Sequence, residues 1–513
     1  MDMETSSRAK NSVLRIAIVF LLIIINLLWI LTVFFWLESY FAVIHIVTLI
    51  AAFLLVVGIC GKQENSAFKL PWIILILVSP VLGCTLYFFF GRKNATQKMA
   101  QRFAKLDGEL LPLLQQEEAV MAALESQNQM VANQFRYLQR YAAFPVYRNT
   151  DLVFHPEATD AFEDLLQALS QAKEFIFMEY FIVQEAKSFA RLKAVLADRV
   201  QHGVEVRFLY DDFGSGTYLD AKFTKRMKAI GVQCRVFNPM LPILDSFMNN
   251  RDHRKITVID GKVGFTGGYN LADAYYNLVH PYGYWKDTGV KLTGDAVRSL
   301  TVMFLEIWNA VEKSDDSYEK YLPPLAYQAK EQGFVQPFAD SPIDDEVVGE
   351  NAYLNLIKSA KHTVYATTPY LIISDEMLRE LCMAAQRGVD VRIVLPGISD
   401  HPFIHWLSRS YYPMLAKKGV RIFEYTPGYI HAKQILGDGE TAIVGTVNLD
   451  FRSMYHHFED GVLFYGYSAI AQVAEDFEKI FSVSQEVTED YLTGRKANIG
   501  FFQRMFRLFT PLL

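Results

Sequence analysis

Two histidines and two lysines stand in an arrangement that the chain carries twice. His253 and Lys255 lie two residues apart with Asp260 beyond them, and His431 and Lys433 repeat the pattern with Asp438, 178 residues later. Each copy runs on to a small-residue turn ending in asparagine, Gly267-Gly268-Tyr269-Asn270 and Gly445-Thr446-Val447-Asn448, with 17 residues from His to Asn both times. With 11 histidines in the chain, and Lys and Asp each near one residue in twenty, about 11/400 matches to His-x-Lys-x4-Asp are expected by chance. Two matches, both extended to the same Asn, are not chance. Imidazole attacks phosphorus as a nucleophile, and imidazolium protonates a departing oxygen. Lys ammonium and Asn amide groups supply the charge and donors that fit a phosphodiester. Two histidines at one cleft therefore permit a phosphohistidine intermediate that is passed to a second alcohol or to water. Each His needs its other ring nitrogen held by a carboxylate or carbonyl. The candidates are Asp287 in Tyr284-Trp285-Lys286-Asp287 and Glu459 in His457-Phe458-Glu459-Asp460.

Residues two apart share one face of a β-strand, so each His-Lys pair reads as strand, and Asp260 and Asp438 close those strands. That position makes the two aspartates braces more than participants, although the motif groups them with the catalytic residues. The repeat is longer than the motif. Gly203-Val204-Glu205-Val206-Arg207 answers Gly388-Val389-Asp390-Val391-Arg392, and Ala172-Lys173 before Phe175-Ile176-Phe177 answers Ala360-Lys361 before Val364-Tyr365. One fold is written twice, and two such halves can meet about a pseudo-twofold axis with both His-Lys pairs in a single cleft. Strands are expected at Phe175–Val183, Val204–Tyr210, Lys255–Ile259 and Val263–Thr266, and helices at Ala161–Ala172, Ala186–His202 and Leu219–Ile230. This alternation predicts an α/β fold with a mixed sheet flanked by helices in each half.

The 513 residues exceed what one core supports. Their 51% hydrophobic content is concentrated in the first 90 residues, where Val13–Trp36, Phe41–Cys60 and Pro71–Phe90 are each near the roughly 20 residues of a membrane span. No Lys or Arg lies between the first two, which predicts a hairpin with Leu37–Tyr40 outside. A re-entrant or interfacial third segment would reconcile that orientation with the positive charge after Phe90. Residues 95–141 read as a linker helix, or as a helix packed on the first catalytic half. The expected divisions are 1–94 membrane-anchoring helices, 95–141 linker, 142–340 and 341–494 catalytic domains, and 495–513 a basic tail. In that tail Arg495, Lys496, Arg504 and Arg507 interleave with Phe501, Phe502, Met505 and Phe506, which suits an anionic membrane surface or a helix docked on the enzyme. The four cysteines are scattered and read as buried thiols. A metal role for His456 and His457 beside Glu459 is weaker than a hydrogen-bonding one, because regular ligand spacing is lacking.

The duplicated His-x-Lys-x4-Asp with its following asparagine resembles the phospholipase D superfamily, and more closely its bacterial cardiolipin synthases. The resemblance extends to Met178-Glu179-Tyr180-Phe181, Leu209-Tyr210-Asp211-Asp212-Phe213-Gly214-Ser215, Arg251-Asp252, Thr368-Pro369-Tyr370, Ser408-Arg409-Ser410-Tyr411-Tyr412 and Asn448-Leu449-Asp450-Phe451-Arg452-Ser453. It implies two tandem phospholipase D-like domains in a bacterial multi-pass membrane protein. It also implies transfer of a phosphatidyl group from one phosphatidylglycerol to another with release of glycerol. His253 would be the nucleophile and His431 the acid and then the base, with Lys255, Lys433, Asn270 and Asn448 on the phosphate. No metal or other cofactor is expected, because those four groups stand where a metal would neutralise the phosphate. The expected partners are phosphatidylglycerol and anionic membrane lipids, with a homo-oligomer left open. Nucleic acid is disfavoured by the membrane segments and the net charge of −6. The alternative activities are a hydrolytic phospholipase D and a phosphatidyltransferase with another alcohol acceptor.

Overall fold

The computed structural model describes residues 41–62, 64–91, 94–240 and 249–512 together with Ile24 and Leu28. The described residues form two compact units. One holds the hydrophobic amino-terminal helices; the other runs from Met99 to Asn238 and from Asn250 to Arg507.

In the first unit α1 spans Phe41–Cys60, α2 Ser66–Val78 and α3 Pro80–Phe90. Asn65 caps α2 by accepting from Ala67 N–H at 2.9 Å. Ser79 leaves helical geometry, as a residue before proline does, and Pro80 opens α3. Gly83 then lies against the backbone of α2: a Cβ there would stand 2.5 Å from Ile76 Cα. The two helices fold back on one another around Ile76, Tyr87 and Trp72, whose ring meets Tyr87 edge-on at 5.4 Å. The stretch Pro71–Phe90 is therefore not one crossing, which corrects the expectation of three similar spans. Helices of 13 and 11 residues reach only about 20 and 17 Å. Among the described residues no helix is long and apolar enough to cross a membrane; within α1 the unbroken run of described side chains is Ile46–Cys60. Apart from Ile24 and Leu28, Val13–Trp36 lies outside the described residues, as does Leu37–Tyr40.

The second unit opens with three helices, α4 (Asn94–Leu110, shared with the first unit up to Lys98), α5 (Glu118–Gln127) and α6 (Gln129–Tyr141). They are not a free linker. Phe103, Leu106, Leu124, Phe135 and Leu138 are buried. Phe103 stacks on Phe458 at 5.0 Å and Gln134 donates to Ser359 Oγ at 2.7 Å in the second catalytic half, while Arg102 donates to Asn309 O at 3.2 Å and Lys313 to Glu109 at 3.3 Å in the first, so this segment packs on both.

The first half contributes β1 (Thr150–His155), β2 (Phe175–Tyr180), β3 (Glu205–Asp211), β4 (Gln233–Phe237), β5 (Arg251–Asp252), β6 (Lys255–Ile259), β7 (Val263–Gly267), β8 (Tyr284–Lys286) and β9 (Gly289–Gly294). The second contributes β10 (Phe334–Asp340), β11 (Thr363–Thr367), β12 (Leu371–Ile372), β13 (Asp390–Pro396), β14 (Arg421–Tyr425), β15 (Gly428–Ile430), β16 (Gln434–Gly437), β17 (Thr441–Gly445), β18 (Leu449–Asp450), β19 (His457–Tyr465) and β20 (Ser484–Glu486). The main sheets run β1-β9-β7-β6-β2-β3-β4 and β10-β19-β17-β16-β11-β13-β14-β20. Over its first seven positions the second order reproduces the first, and β20 adds an edge strand without a counterpart. Both sheets are mixed: β2-β3-β4 and β11-β13-β14 are parallel, while β6 and β16 join them antiparallel. The central strands β2 and β6 are buried at every position, because helices cover both faces. Ala158–Ser170 and Lys187–Gln201 cover one face of the first sheet, and the buried helix Val297–Val311 covers the other.

Beside β6 the interior holds charge. Arg254 is fully buried, donating from Nε to Glu179 Oε1 at 2.8 Å and from Nη2 to Met303 O at 3.3 Å, with Asp252 at 3.6 Å and Glu306 at 3.5 Å. The second half has Ala432 at the matching position and no such cluster is needed there. Arg254→Met removes the guanidinium that donates to Glu179 and lies 3.6 Å from Asp252, and is expected to destabilise the fold by roughly 3–5 kcal/mol. A lowered midpoint of chemical denaturation at unchanged slope reads this; an unshifted midpoint contradicts it.

Candidate active site

Each His-Lys pair lies at the start of its strand, and each is held by the opposite half. β5 runs parallel to the start of β19, with Arg251 opposite His457 and Asp252 opposite Phe458, and His253 N–H donates to Phe458 O at 2.9 Å. Reciprocally, β15 runs parallel to β8, with Tyr429 opposite Trp285 and Ile430 opposite Lys286, and His431 N–H donates to Lys286 O at 2.7 Å. The carboxylates follow in the same crossed sense. His253 Nδ1 is 2.9 Å from Glu459 Oε2, and His431 Nδ1 is 2.7 Å from Asp287 Oδ2. All four side chains are buried. With Nδ1–H on a carboxylate, Nε2 of each ring keeps its lone pair for the substrate.

Lys255 and Lys433 turn back along their strands, and each ammonium donates to the carbonyl of its own histidine, His253 O and His431 O. Lys433 Nζ also stands 2.8 Å from His431 Nδ1. Burial and the neighbouring ammonium groups push His431 down to about 4 and hold His253 well below the ordinary imidazole range. Each histidine feels both lysines, and His253 feels His431 as well, so the four groups share one electrostatic field. Burial also lowers Lys255 to about 8 and Lys433 to about 7, against the pull of Asp287 and Glu459.

The two asparagines are buried but not equivalent. Asn270 accepts from Ile182 N–H at 3.0 Å and donates from Nδ2 to Tyr275 Oη at 2.9 Å, leaving one amide hydrogen uncommitted. Asn448 is anchored by its backbone N–H to Ser453 Oγ at 2.8 Å, and its Oδ1 has no partner. Asp260 and Asp438 stand outside the cleft, at the far ends of β6 and β16, seven residues and roughly 20 Å of extended chain from their histidines. With φ of 53° and 52°, each turns the chain and accepts three backbone N–H groups: Lys173, Glu174 and Phe175 for Asp260, and Lys361, His362 and Thr363 for Asp438. Their grouping with the catalytic residues is corrected on that geometry, since they brace the strands that carry the histidines.

Aromatic rings line both histidines. Tyr275, Trp285 and Tyr429 lie 5.3, 5.5 and 5.8 Å from His431, and Phe181 and a third imidazole, His457, lie 5.0 and 5.2 Å from His253. The sequence predicts a hydrogen-bonding role for His457 beside Glu459 in preference to a metal-binding one; its approach to the His253 ring is not visible in the spacing. Nitrogen and oxygen atoms of His253, His457 and Glu459 come within 4.8 Å of one another, close enough to hold a metal. The ammonium groups of Lys255 and Lys433, which already depress His253, oppose a cation there.

The chain matches the family described as "Cardiolipin synthase, PLD-like domain" over residues 165–291 and 353–481, and "Phospholipase D-nuclease N-terminal" over residues 43–92. It is 32% identical over 465 residues to Cardiolipin synthase 2 of Bacillus cereus, covering 90% of each chain. The chain belongs to the cardiolipin synthase family. It is also 31% identical over 500 residues to the cardiolipin synthase of Geobacillus kaustophilus, covering 97% of this chain and 99% of that one. An uncharacterized protein of Streptococcus mutans is 38% identical over 459 residues, 89% of this chain and 99% of its own. The crystal structure of phosphatidylserine synthase from Haemophilus influenzae shares the fold, with a TM-score of 0.56 at 14% identity, over 75% of this chain and 98% of that one.

The lysines give the site a pH dependence with a definite sign. Each is charged below its lowered value and neutral above it, so attraction for an anionic headgroup is greatest below about 7 and declines as pH rises through 7 to 8. On the acid side the neutral form of His431 is lost near 4. The expected kcat/KM profile for phosphatidylglycerol therefore has an alkaline limb between about 7 and 8, and Lys433→Arg, which stays charged, removes its lower part. A flat profile from about pH 6 to about pH 9 contradicts this assignment.

Proposed function

We propose that this member of the cardiolipin synthase family moves a phosphatidyl group from one phosphatidylglycerol to another through a phosphohistidine on His253. Membership makes the enzyme a phosphatidyltransferase. The observation that carries the mechanism is the crossed pair of imidazole–carboxylate contacts, which leaves two Nε2 atoms available within one buried, ammonium-rich field.

In the first step the His253 Nε2 lone pair forms an N–P bond, the P–O bond to the glycerol headgroup breaks, and His431 gives that oxygen a proton. The incoming phosphodiester anion offsets the charge that holds His431 neutral in the free enzyme, so the ring can carry the proton. In the second step the terminal hydroxyl of another phosphatidylglycerol forms the new P–O bond, His431 takes its proton, and the N–P bond returns its electrons to Nε2. Lys255, Lys433, Asn448 and the remaining amide hydrogen of Asn270 balance charge on the phosphoryl oxygens through both steps. Asp287 and Glu459 hold the rings. An alcohol acceptor yields cardiolipin, whereas water would yield phosphatidic acid.

The reading places the protein at a membrane. On the amino-terminal helices Val43, Val47, Phe53, Leu54, Leu77 and Val78 are exposed apolar residues, a skin that suits lipid. The tail helix Phe501–Arg507 is docked on Pro402–Ser408 through Phe506, 5.2 Å from Phe403 and 6.1 Å from Trp406, while Phe501 and Phe502 are 76% and 63% exposed beside Arg504. The two readings of that tail are thus compatible: one face binds the enzyme and the other offers aromatic and basic groups to an anionic bilayer surface.

Purified full-length protein given phosphatidylglycerol alone is expected to release cardiolipin and glycerol in equal amounts. Phosphatidic acid as the sole lipid product overturns the transferase reading. His253→Ala is expected to abolish turnover and the trapped phosphoenzyme; His431→Ala is expected to abolish turnover while slow phosphorylation of His253 persists. A phosphoenzyme on His431 reverses the assignment.

A further inference from the structure

Arg452 and His457 lie outside the repeated motif, yet both end on the carboxylate that serves His253. Arg452 Nε donates to His457 Nε2 at 3.2 Å. A guanidinium has no acceptor and does not lose its proton, so Nε2 of His457 is the lone-pair nitrogen and the proton of the neutral ring sits on Nδ1. That Nδ1 is buried, makes no hydrogen bond, and stands 3.4 Å from Glu459 Oε1, an ion-pair distance from the carboxylate. Glu459 Oε1 accepts from Ser453 Oγ at 2.5 Å, and Oε2 faces His253 Nδ1 at 2.9 Å. Arg452 thus sets the His457 tautomer with its Nδ1 proton on the Glu459 side, and Glu459 in turn faces Nδ1 of His253.

The other histidine lacks such a chain. Two residues before its carboxylate stands Trp285, where the repeat has His457. Its Nδ1 is shared between Asp287 Oδ2 at 2.7 Å and Lys433 Nζ at 2.8 Å, one demanding a proton on the ring nitrogen and the other, when charged, a lone pair. A ring placed between such demands suits a group that must gain and lose a proton. A ring with fixed polarity suits a group that must present the same lone pair at every turnover.

We propose that Arg452 and His457 are positioning residues that hold Glu459 against His253 and so keep His253 Nε2 as the lone-pair nitrogen facing phosphorus. This rests on His253 as the nucleophile. His457→Leu removes both the Nδ1–H beside Glu459 and the acceptor for Arg452 at similar volume. His457→Asn restores both, since its amide donates and its carbonyl accepts. With full-length protein and phosphatidylglycerol in mixed micelles, His457→Leu is expected to lower kcat by roughly 10–100-fold with KM changed less than about twofold. His457→Asn is expected to recover most of that loss. Arg452→Met is expected to reproduce the His457→Leu defect, and the double variant to be no slower than either single one. Equal losses in the Leu and Asn variants, a loss confined to KM, additive losses in the double variant, or unchanged kcat overturns the proposal. Should His457→Leu fail to fold, the Arg452→Met and His457→Asn rates decide alone: a slow Arg452→Met with a fast His457→Asn supports it, and any other pairing overturns it. Turnover by His253→Ala in the same assay would instead strike at the nucleophile reading.

Discussion

The exchange of carboxylates between the two halves is the constraint on which the rest of the molecule turns. Each histidine is carried by one repeat and gripped by the other, through a backbone bond to the residue before the carboxylate and a ring bond to the carboxylate itself. Neither half contains a finished imidazole site. Burial of an unheld imidazole and two ammonium groups would be costly, and it is the partner half's Asp287 and Glu459 that offset that cost. Duplication thereby became obligatory pairing, since separating the halves would remove each nucleophile's or acid's counter-carboxylate.

The scaffold follows from this demand for placement. Strand pairs β5–β19 and β8–β15 are only two or three residues long, yet they fix the rings because the strands on either side belong to the cores of two extensive sheets. Asp260 and Asp438 turn the chain at the opposite strand ends, where their three backbone bonds each tie β6 and β16 to the start of β2 and β11. Beneath the first histidine a buried guanidinium takes the place that alanine fills in the second. The halves share a topology but have diverged in the chemistry of their interiors, and that divergence reaches the rings themselves: His457 flanks one and Trp285 the other.

Much of this was legible in the residues. The motif's repetition predicted one mixed-sheet α/β fold written twice, and the strands at Phe175, Val204, Lys255 and Val263 fall within a residue or so of their observed starts because β-branched and aromatic runs there are bounded by glycine and helical stretches. Asp287 and Glu459 were readable as ring partners from the carboxylate each His requires. Their crossing was not, since spacing along the chain is equally compatible with pairing inside each half; it is decided by tertiary contacts between β5 and β19. The fold-back at Pro80 was hidden by composition, because Pro71–Phe90 is as apolar as a span and only the close approach of Gly83 to Ile76 reveals the turn. The linker's apolar spacing was visible, but the breaks that divide it into α4, α5 and α6 were not, and the surface it covers belongs to both halves.

The crossed pairing can be read directly from the imidazole nitrogens. In full-length protein labelled with 15N-histidine, the nitrogen shifts of His253 should report a proton on Nδ1 held by a carboxylate, and Glu459→Gln should perturb that signature while Asp287→Asn leaves it in place. His431 should respond in the opposite way. If Asp287→Asn disturbed His253 and spared His431, each half would be serving its own histidine, and the account given of this site would be wrong.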